Sequence, residues 1–592
     1  MCGIAGIFCP ANQQIDSNAL QSMSESLRTR GPDDQGLWIS ADKQIGLAHR
    51  RLSIIDLSNA AHQPLICKTT GNIIIFNGEI YNYQVLKKQL EQQGIIFESH
   101  SDTEVLLKLY QVYGEKMLAL LRGMYAFAIW NAKTKVLFLA RDPFGIKPLY
   151  YAEQQGTFYF SSQVKSLLAS KKISTKLSAA GQVGFFLWGH VPEPHTVFTA
   201  IKAFPAGYSL TLDSQGKQQW KQYFNFTESF LTAREEPIHE KPETVLKQAL
   251  QDSMTHHLVA DVPVGVFLSA GKDSTTLVGL ASERVNLLQT ITLGFKEYQD
   301  SIKDEMPLAK QVAEYYSTNW ISSYLNKNEF LTALPSFWQA MDQPSIDGAN
   351  TFFISRVAHQ HKLKVVLSGL GADELLAGYR DFAMSKKLIQ YFSWLKTLPT
   401  LGKSIRYALK NFLPAKQASL LEFSSNYADV YLLLRSVFLP WELSKVLPIE
   451  IIKTGLQELN TNNELNKSLA QLPDDYARMC ALQIQWYMKN QLLRDTDWAS
   501  MANSLEVRVP FVDIELFKVI ASLSASWTPN KNAMCLAVKK PLPTSVLTRH
   551  KTGFNIPVAE WITSSKINKS LTKVQNWACH VFEQYSHENL NG

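Results

Sequence analysis

The chain has 592 residues, with 59 Lys and Arg against 52 Asp and Glu, a formal net charge of +7. About 150 residues per domain allows two to four domains, and 46% hydrophobic with 19% charged residues excludes a disordered chain, a collagen-like fibre and a coiled coil. The charge excess reads as small and scattered, so no nucleic acid and no membrane is expected as a partner.

In chain order, MCGIAGIFCP is a short apolar run with no basic residues before it and Pro10 behind it, which predicts a buried strand and not a secretion signal. Residues 72–76, 136–140 and 157–160 are rich in branched and aromatic side chains and predict strands. Helices are expected over about 85–93 and 102–113, giving an α+β first part. A polar stretch, about 213–243, reads as a junction. From about 244 buried strands (262–268, 290–295, 364–367) alternate with helices, one starting near Ser274. That pattern implies a parallel sheet with helices on both faces and ligands at the carboxyl ends of its strands. The last 200 residues are mostly helical. No stretch reaches about 18 uninterrupted apolar residues, so no transmembrane helix is expected. Six cysteines without a CxxC pair exclude a disulfide framework and a thiolate zinc site, and fit a reducing, cytoplasmic compartment.

Cys2 is small enough at position 2 to permit removal of Met1, after which one residue carries both a thiol and a free α-amine. With a reference pKa near 8, that amine can act as base beside the thiol. A lone cysteine is otherwise a buried structural residue; its neighbours decide. MCGIAGIF, RGPDD (30–34), HRRLSIIDLS (49–58), FNGEIYNY (76–83), SDTE (101–104) and ARDPFGIKPLYY (140–151) together resemble the class II glutamine amidotransferases, whose catalytic cysteine is the mature N-terminus. The resemblance implies that Cys2 attacks the glutamine amide and releases ammonia. Asn77 and Gly78 would form the oxyanion hole, where one donor is typically worth about 3 kcal/mol. Arg51 would hold the glutamine α-carboxylate, and Asn77, Glu79 and Asp102 would complete the glutamine site, the two carboxylates taking the α-amino group.

Phe267-Leu-Ser-Ala-Gly-Lys-Asp-Ser274 lies between a strand and a helix, where small residues and helix N-terminal amides suit phosphate oxygens. It is not a Walker A loop and resembles the pyrophosphate loop of ATP pyrophosphatases. With LSGLGADE (367–374), LRDTD (493–497), SMANSLEVRVPFVD (500–513) and HKTGFNIP (550–557), the second part resembles the synthetase domain of glutamine-dependent asparagine synthetases. The implied architecture is an α+β N-terminal-nucleophile amidotransferase domain of stacked antiparallel sheets (2–213), a linker (214–243), and an α/β parallel-sheet ATP-pyrophosphatase domain with a helical C-terminal part (244–592). The implied reaction uses ATP and Mg2+: a carboxylate becomes an acyl-adenylate, and ammonia from the first domain converts it to an amide. By resemblance Leu268, Ser269, Gly271, Asp273, Ser274, Leu293, Ser368 and Gly369 bind ATP, Asp273 and Asp373 bind the metal, and Lys551 stabilises the departing pyrophosphate. The resemblance also leans towards a homodimer.

Three residues depart from the family pattern. Ala270 replaces a glycine, which requires a negative φ and a methyl clear of the ligand. Leu370 replaces a glutamate thought to handle protons and cannot accept one. Gln343 replaces a glutamate near the expected acceptor pocket. Asparagine formation from aspartate is the leading expectation. The same chemistry on another carboxylate, of a polysaccharide or secondary-metabolite pathway, and a pseudo-synthetase acting as a partner protein are the alternatives.

Overall fold

The computed structural model describes residues 2–10, 13–236, 238–394, 399–549, 556–561 and 568–590. Seventeen strands are found among them. The first twelve are β1 (Gly3–Phe8), β2 (Asp34–Ile39), β3 (Ile45–Arg51), β4 (Leu65–Ile66), β5 (Ile73–Ile80), β6 (Gly123–Asn131), β7 (Val136–Arg141), β8 (Tyr150–Gln154), β9 (Thr157–Ser161), β10 (Ile201–Ala203), β11 (Tyr208–Leu212) and β12 (Gln218–Gln222). They make two six-stranded sheets, β10-β8-β9-β1-β3-β2 and β12-β11-β7-β6-β5-β4, antiparallel throughout. Side chains alternate across each strand. Ile4 and Phe8 of β1 therefore meet Ile75 of β5 and Ala128 of β6 in the core between the sheets. Ala5 and Ile7 face the other way, onto Ala19, Leu20 and Met23 of the helix Ser17–Ser26.

β13 (Val264–Phe267), β14 (Gln289–Phe295), β15 (Asn319–Leu325), β16 (Val365–Leu367) and β17 (Glu506–Arg508) form a parallel sheet. Its order is β15-β14-β13-β16-β17. The chain runs outward from β13 through β14 to β15, then returns to the other side of β13. The crevice between β13 and β16 is thus the topological switch point, the place where open parallel sheets bind ligands. Among the described residues no helix is long and apolar enough to cross a membrane.

The expected helices are present as Tyr83–Gln92 and Asp102–Tyr113. Ser101 caps the second by accepting from Glu104 N at 3.2 Å, which fixes its start. The stretch 213–243 differs from a simple connector. β12 pairs along β11, with Trp220 packed on Phe204 and Tyr151. The helix Phe226–Glu235 sets Phe226 and Phe230 against Phe517. Its polar residues are the solvent side of two anchored elements, and the few aromatic anchors were outnumbered in the sequence pattern.

The antiparallel and parallel parts are joined by buried ion pairs. Arg122 grips Asp513 with two bonds, 2.8 and 3.0 Å. Arg30, fully buried, donates to Cys2 O at 3.0 Å and grips Asp497 at 2.6 and 3.1 Å, while Lys147 Nζ lies 3.6 Å from the same carboxylate. Asp497→Ala removes the carboxylate that serves both buried cations. It is expected to cost about 3–5 kcal/mol in chemical denaturation followed by tryptophan fluorescence; a loss below about 1 kcal/mol would show that Asp497 is not their main counter-charge.

Candidate active sites

The first site is a pocket under β3 and β5. Cys2, Arg51, Gly78, Glu79 and Asp102 all line it, with Glu506 from β17. The amide of Cys2 donates to Asn77 Oδ1 at 3.0 Å. Asn77 is fully buried, and its Nδ2 has no hydrogen-bond partner among the described residues. A buried amide donor left unpaired costs about 1–3 kcal/mol, so this one is set to receive an oxygen. Glycine is required next to it, because a Cβ on Gly78 would lie 2.1 Å from Met124 O. Burial raises the Cys2 thiol, with Arg51 among the groups that pull it down.

Arg51 is buried at the end of β3 and donates to the carbonyls of Ser58, Ile55 and Asp56. None of the ion pairs among the described residues includes it. Across the pocket, burial pushes Asp102 up to about 6 although it accepts from Ile80 N at 3.1 Å. Glu79 is likewise raised by burial, against the pull of Arg508. Arg508 donates to Glu79 Oε2 at 2.9 Å and to Glu506 Oε1 at 2.6 Å. Glu506 is held low, its burial outweighed by cations that include Arg508 and Lys147. One guanidinium thus serves two carboxylates, Glu79 and Glu506, with Asp102 buried beside them, while Arg51 is in no ion pair among the described residues. A pocket lined by Arg51 on one side and by Glu79 and Asp102 on the other is complementary in charge to a zwitterionic α-amino acid.

The second site lies at the switch point. Ser269, Ala270 and Gly271 connect β13 to the helix Lys272–Ser282. Ser274 Oγ ties the loop together, 2.9 Å from both Ser269 O and Ser269 Oγ. Ala270 is not among the described residues with positive φ, so its backbone meets the first of the two requirements. Leu268 N donates to Ile291 O at 2.8 Å, and Leu268 and Leu293 are buried beneath the loop. The partner loop after β16 comes close. A Cβ on Gly369 would sit 3.1 Å from Asp273 Cβ and 3.3 Å from Ser274 N. Ser368 N is fixed by Arg508 O at 2.9 Å.

Asp273 and Asp373 converge on one cation: Lys531 Nζ is 2.6 Å from a carboxylate oxygen of each. No cluster of three or more His, Cys, Asp or Glu able to hold a metal occurs among the described residues. Two carboxylates that already share a cation fit magnesium, provided polyphosphate and water oxygens supply the remaining ligands. Lys551 lies outside the described residues.

Two departures take on a different meaning here. Gln343 is buried and points to the antiparallel part, accepting from Val197 N at 3.3 Å and donating to Tyr150 OH at 3.3 Å. Its neighbour Asp342 accepts from Val164 N and Lys165 N, both 3.0 Å, at the start of the helix Val164–Ala169. The charge lost at Gln343 therefore lies at a contact between the two parts. Leu370 is half-buried and packs on the core. The sequence gives no separate sign of Glu506, Arg508 and Lys531. Glu506 and Arg508 lie inside SLEVRVPFVD, and only folding brings Arg508 to Glu79 across 429 residues.

A cysteine pocket on stacked antiparallel sheets, joined to a phosphate-type loop on a parallel sheet, defines a two-site amidotransferase. Residues 1–224 match the glutamine amidotransferase domain family and residues 245–588 the asparagine synthase family. The chain is 34% identical to asparagine synthetase [glutamine-hydrolyzing] 1 of Bacillus subtilis, over 95% of this chain and 88% of that one. It is 33% identical to a putative asparagine synthetase [glutamine-hydrolyzing] of Mycobacterium tuberculosis, over 96% and 89%, and 27% identical to asparagine synthetase [glutamine-hydrolyzing] 3 of B. subtilis, over 96% and 90%. The chain belongs to the asparagine synthase family.

Lys531→Met leaves Asp273 and Asp373 facing each other without the ammonium. The thermal midpoint is expected to fall by several degrees, and millimolar magnesium should restore more of it than it adds to the unaltered protein. A variant whose midpoint ignores magnesium would show that the two carboxylates do not make a cation site.

Proposed function

We propose that the protein is a glutamine-dependent, ATP-consuming amide ligase that converts aspartate to asparagine, with glutamate, AMP and pyrophosphate as the other products. The observation that carries this reading is β17. Its Arg508 side chain reaches the zwitterion-complementary cysteine pocket, while its backbone oxygen holds the loop at the switch point. The names of the full-length relatives support the same products.

In the first half-reaction Arg51 takes the glutamine α-carboxylate, and Asp102 and Glu79 take the α-ammonium. With Met1 removed, the Cys2 amine accepts the thiol proton as sulfur attacks the side-chain amide. Asn77 Nδ2 meets the developing oxyanion. Ammonia leaves, and water hydrolyses the remaining thioester to glutamate. In the second half-reaction Ser269, Gly271 and Ser274 cradle the pyrophosphate end of ATP, with Leu268, Leu293, Ser368 and Gly369 along the nucleotide. Magnesium, held by Asp273 and Asp373, would neutralise charge on the triphosphate. Lys531 provides a fixed positive charge beside it. The burial of Gln343 in a contact between the two parts removes one of the two reasons to expect an acceptor other than aspartate.

Cys2→Ala is expected to abolish asparagine formation from glutamine and to leave the rate with free ammonia within about twofold, since only the nitrogen source is lost. Equal loss of both activities in a folded variant would contradict the division into two sites.

Asp102 binds ammonium only when ionised, and its carboxyl is raised to about 6 in the empty pocket. The KM for glutamine should therefore rise as pH falls through about 6, while the ammonia-dependent rate does not follow that titration. The sign for stability is opposite. The folded state holds the Asp102 proton more tightly than the unfolded chain, so the empty pocket costs stability as pH rises from about 4 to about 6. Asp102→Asn should raise KM about tenfold or more and flatten its pH dependence. A KM that stays flat from pH 5 to 8 (about one unit below and two above that titration) in the unaltered protein would exclude the assignment.

A further inference from the structure

The net charge of +7 is not scattered. Residues 380–416 hold eight Lys and Arg and one acidic residue, Asp381. Taking those eight from 59 and that one from 52 leaves 51 of each sign in the rest of the chain. The whole excess sits in one stretch of the sequence, which corrects the reading from composition.

The helix Arg380–Phe392 packs the half-buried Phe382 and Ile389 against the cluster that includes Trp188, Tyr431 and Leu482. Its outer face carries Met384, Lys387 and Tyr391 at i, i+3 and i+7, with Trp394 at i+10 just past the end. The next helix, Pro399–Leu409, turns Gly402 inward, where a Cβ would meet Leu421 O at 2.6 Å. Arg406 is also inward, paired with Glu422 and placed 5.2 Å over the Trp441 ring. Lys403, Tyr407 and Lys410 recur on the outer side at i, i+4 and i+7, and Lys410 Nζ lies 4.1 Å over the Tyr407 ring.

The outward rings are far from buried: Phe412 is 82% exposed, Tyr391 71%, Tyr407 69% and Trp394 55%. They are four of the five exposed aromatic side chains among the described residues, Tyr113 being the other. Met384, Leu401 and Leu413 are exposed beside them. Among the described residues, Lys387, Lys403 and Lys410 have no carboxylate within ion-pair distance. Unpaired lysines could serve any polyanion. Exposed leucine, methionine and phenylalanine side chains gain nothing from a nucleic-acid backbone, whereas they match the boundary between lipid headgroups and acyl chains.

We propose that the helices Arg380–Phe392 and Pro399–Leu409, with Phe412 and Leu413, form a peripheral docking surface for an anionic lipid membrane. Tyr391, Trp394 and Phe412 enter the headgroup region, and Lys387, Lys403 and Lys410 meet the lipid phosphates. The surface uses none of the groups assigned to either active site.

The test is co-sedimentation of the full chain with vesicles of phosphatidylglycerol and phosphatidylcholine, against vesicles of phosphatidylcholine alone. Binding is expected to the anionic vesicles, at least about tenfold stronger than to the neutral ones, and to weaken as salt rises from about 0.1 to about 0.5 M. Lys387→Glu with Lys403→Glu, and separately Tyr391→Ser with Phe412→Ser, should each lower binding about tenfold with glutaminase activity unchanged. Equal binding to both vesicles, no binding, or variants that bind as the unaltered protein does would overturn the proposal. So would retention by a soluble polyanion such as heparin with none by the vesicles.

Discussion

One buried guanidinium ties the molecule together. Arg508 has no contact with solvent, and its N–H groups reach Glu506, Glu79 and the carbonyls of His257 and Val259. A charge taken out of water at this depth is tolerable only with counter-charges and complete hydrogen bonding. That requirement places Glu79 of the antiparallel part and β17 of the parallel sheet in one fixed relation. The same residue's carbonyl fixes Ser368 N at the switch point. Arg30 and Arg122 repeat the device, each bridging the two parts through a two-bonded aspartate. The relative placement of the two sites is therefore built from buried ion pairs as well as from shared apolar core.

The electrostatics of the cysteine pocket follow from that frame. Glu506 and Glu79 compete for one guanidinium, and Asp102 is buried close to them. Burial inclines both Glu79 and Asp102 to retain a proton. In the proposed reading, the substrate's ammonium group offsets that burial and its carboxylate answers Arg51. Under that proposal, selection for an α-amino acid rests on charges that the fold holds in the pocket.

Much of the local architecture was legible in the sequence. β1, β5, β13 and β16 are short branched or aromatic runs, and the helix from Asp102 was expected over the residues where it is found. The loop 269–274 could be placed between strand and helix. What was illegible has a common cause in sequence distance. Arg508 and Glu79 are 429 residues apart, and Lys531 meets Asp273 from 258 residues away, so no local pattern marks any of them as a partner. The contacts of Gln343 to Val197 and Tyr150 were illegible because a motif shows which residue has changed and not which way its side chain points. The strand and helix within 213–243 were illegible because a few aromatic anchors were hidden among polar residues. The charge was read as scattered because composition averages over the whole chain.

The central claim is that nitrogen released at Cys2 is used at the switch-point loop through the connection that β17 makes. Amide-15N glutamine, supplied with ATP, magnesium, aspartate and an excess of unlabelled ammonium, tests it directly by mass spectrometry of the asparagine formed. The account predicts asparagine labelled well above the bulk isotope ratio, because the released nitrogen reaches the second site before it mixes with solvent. Asparagine carrying the bulk ratio, formed while glutamine is being hydrolysed, would contradict it.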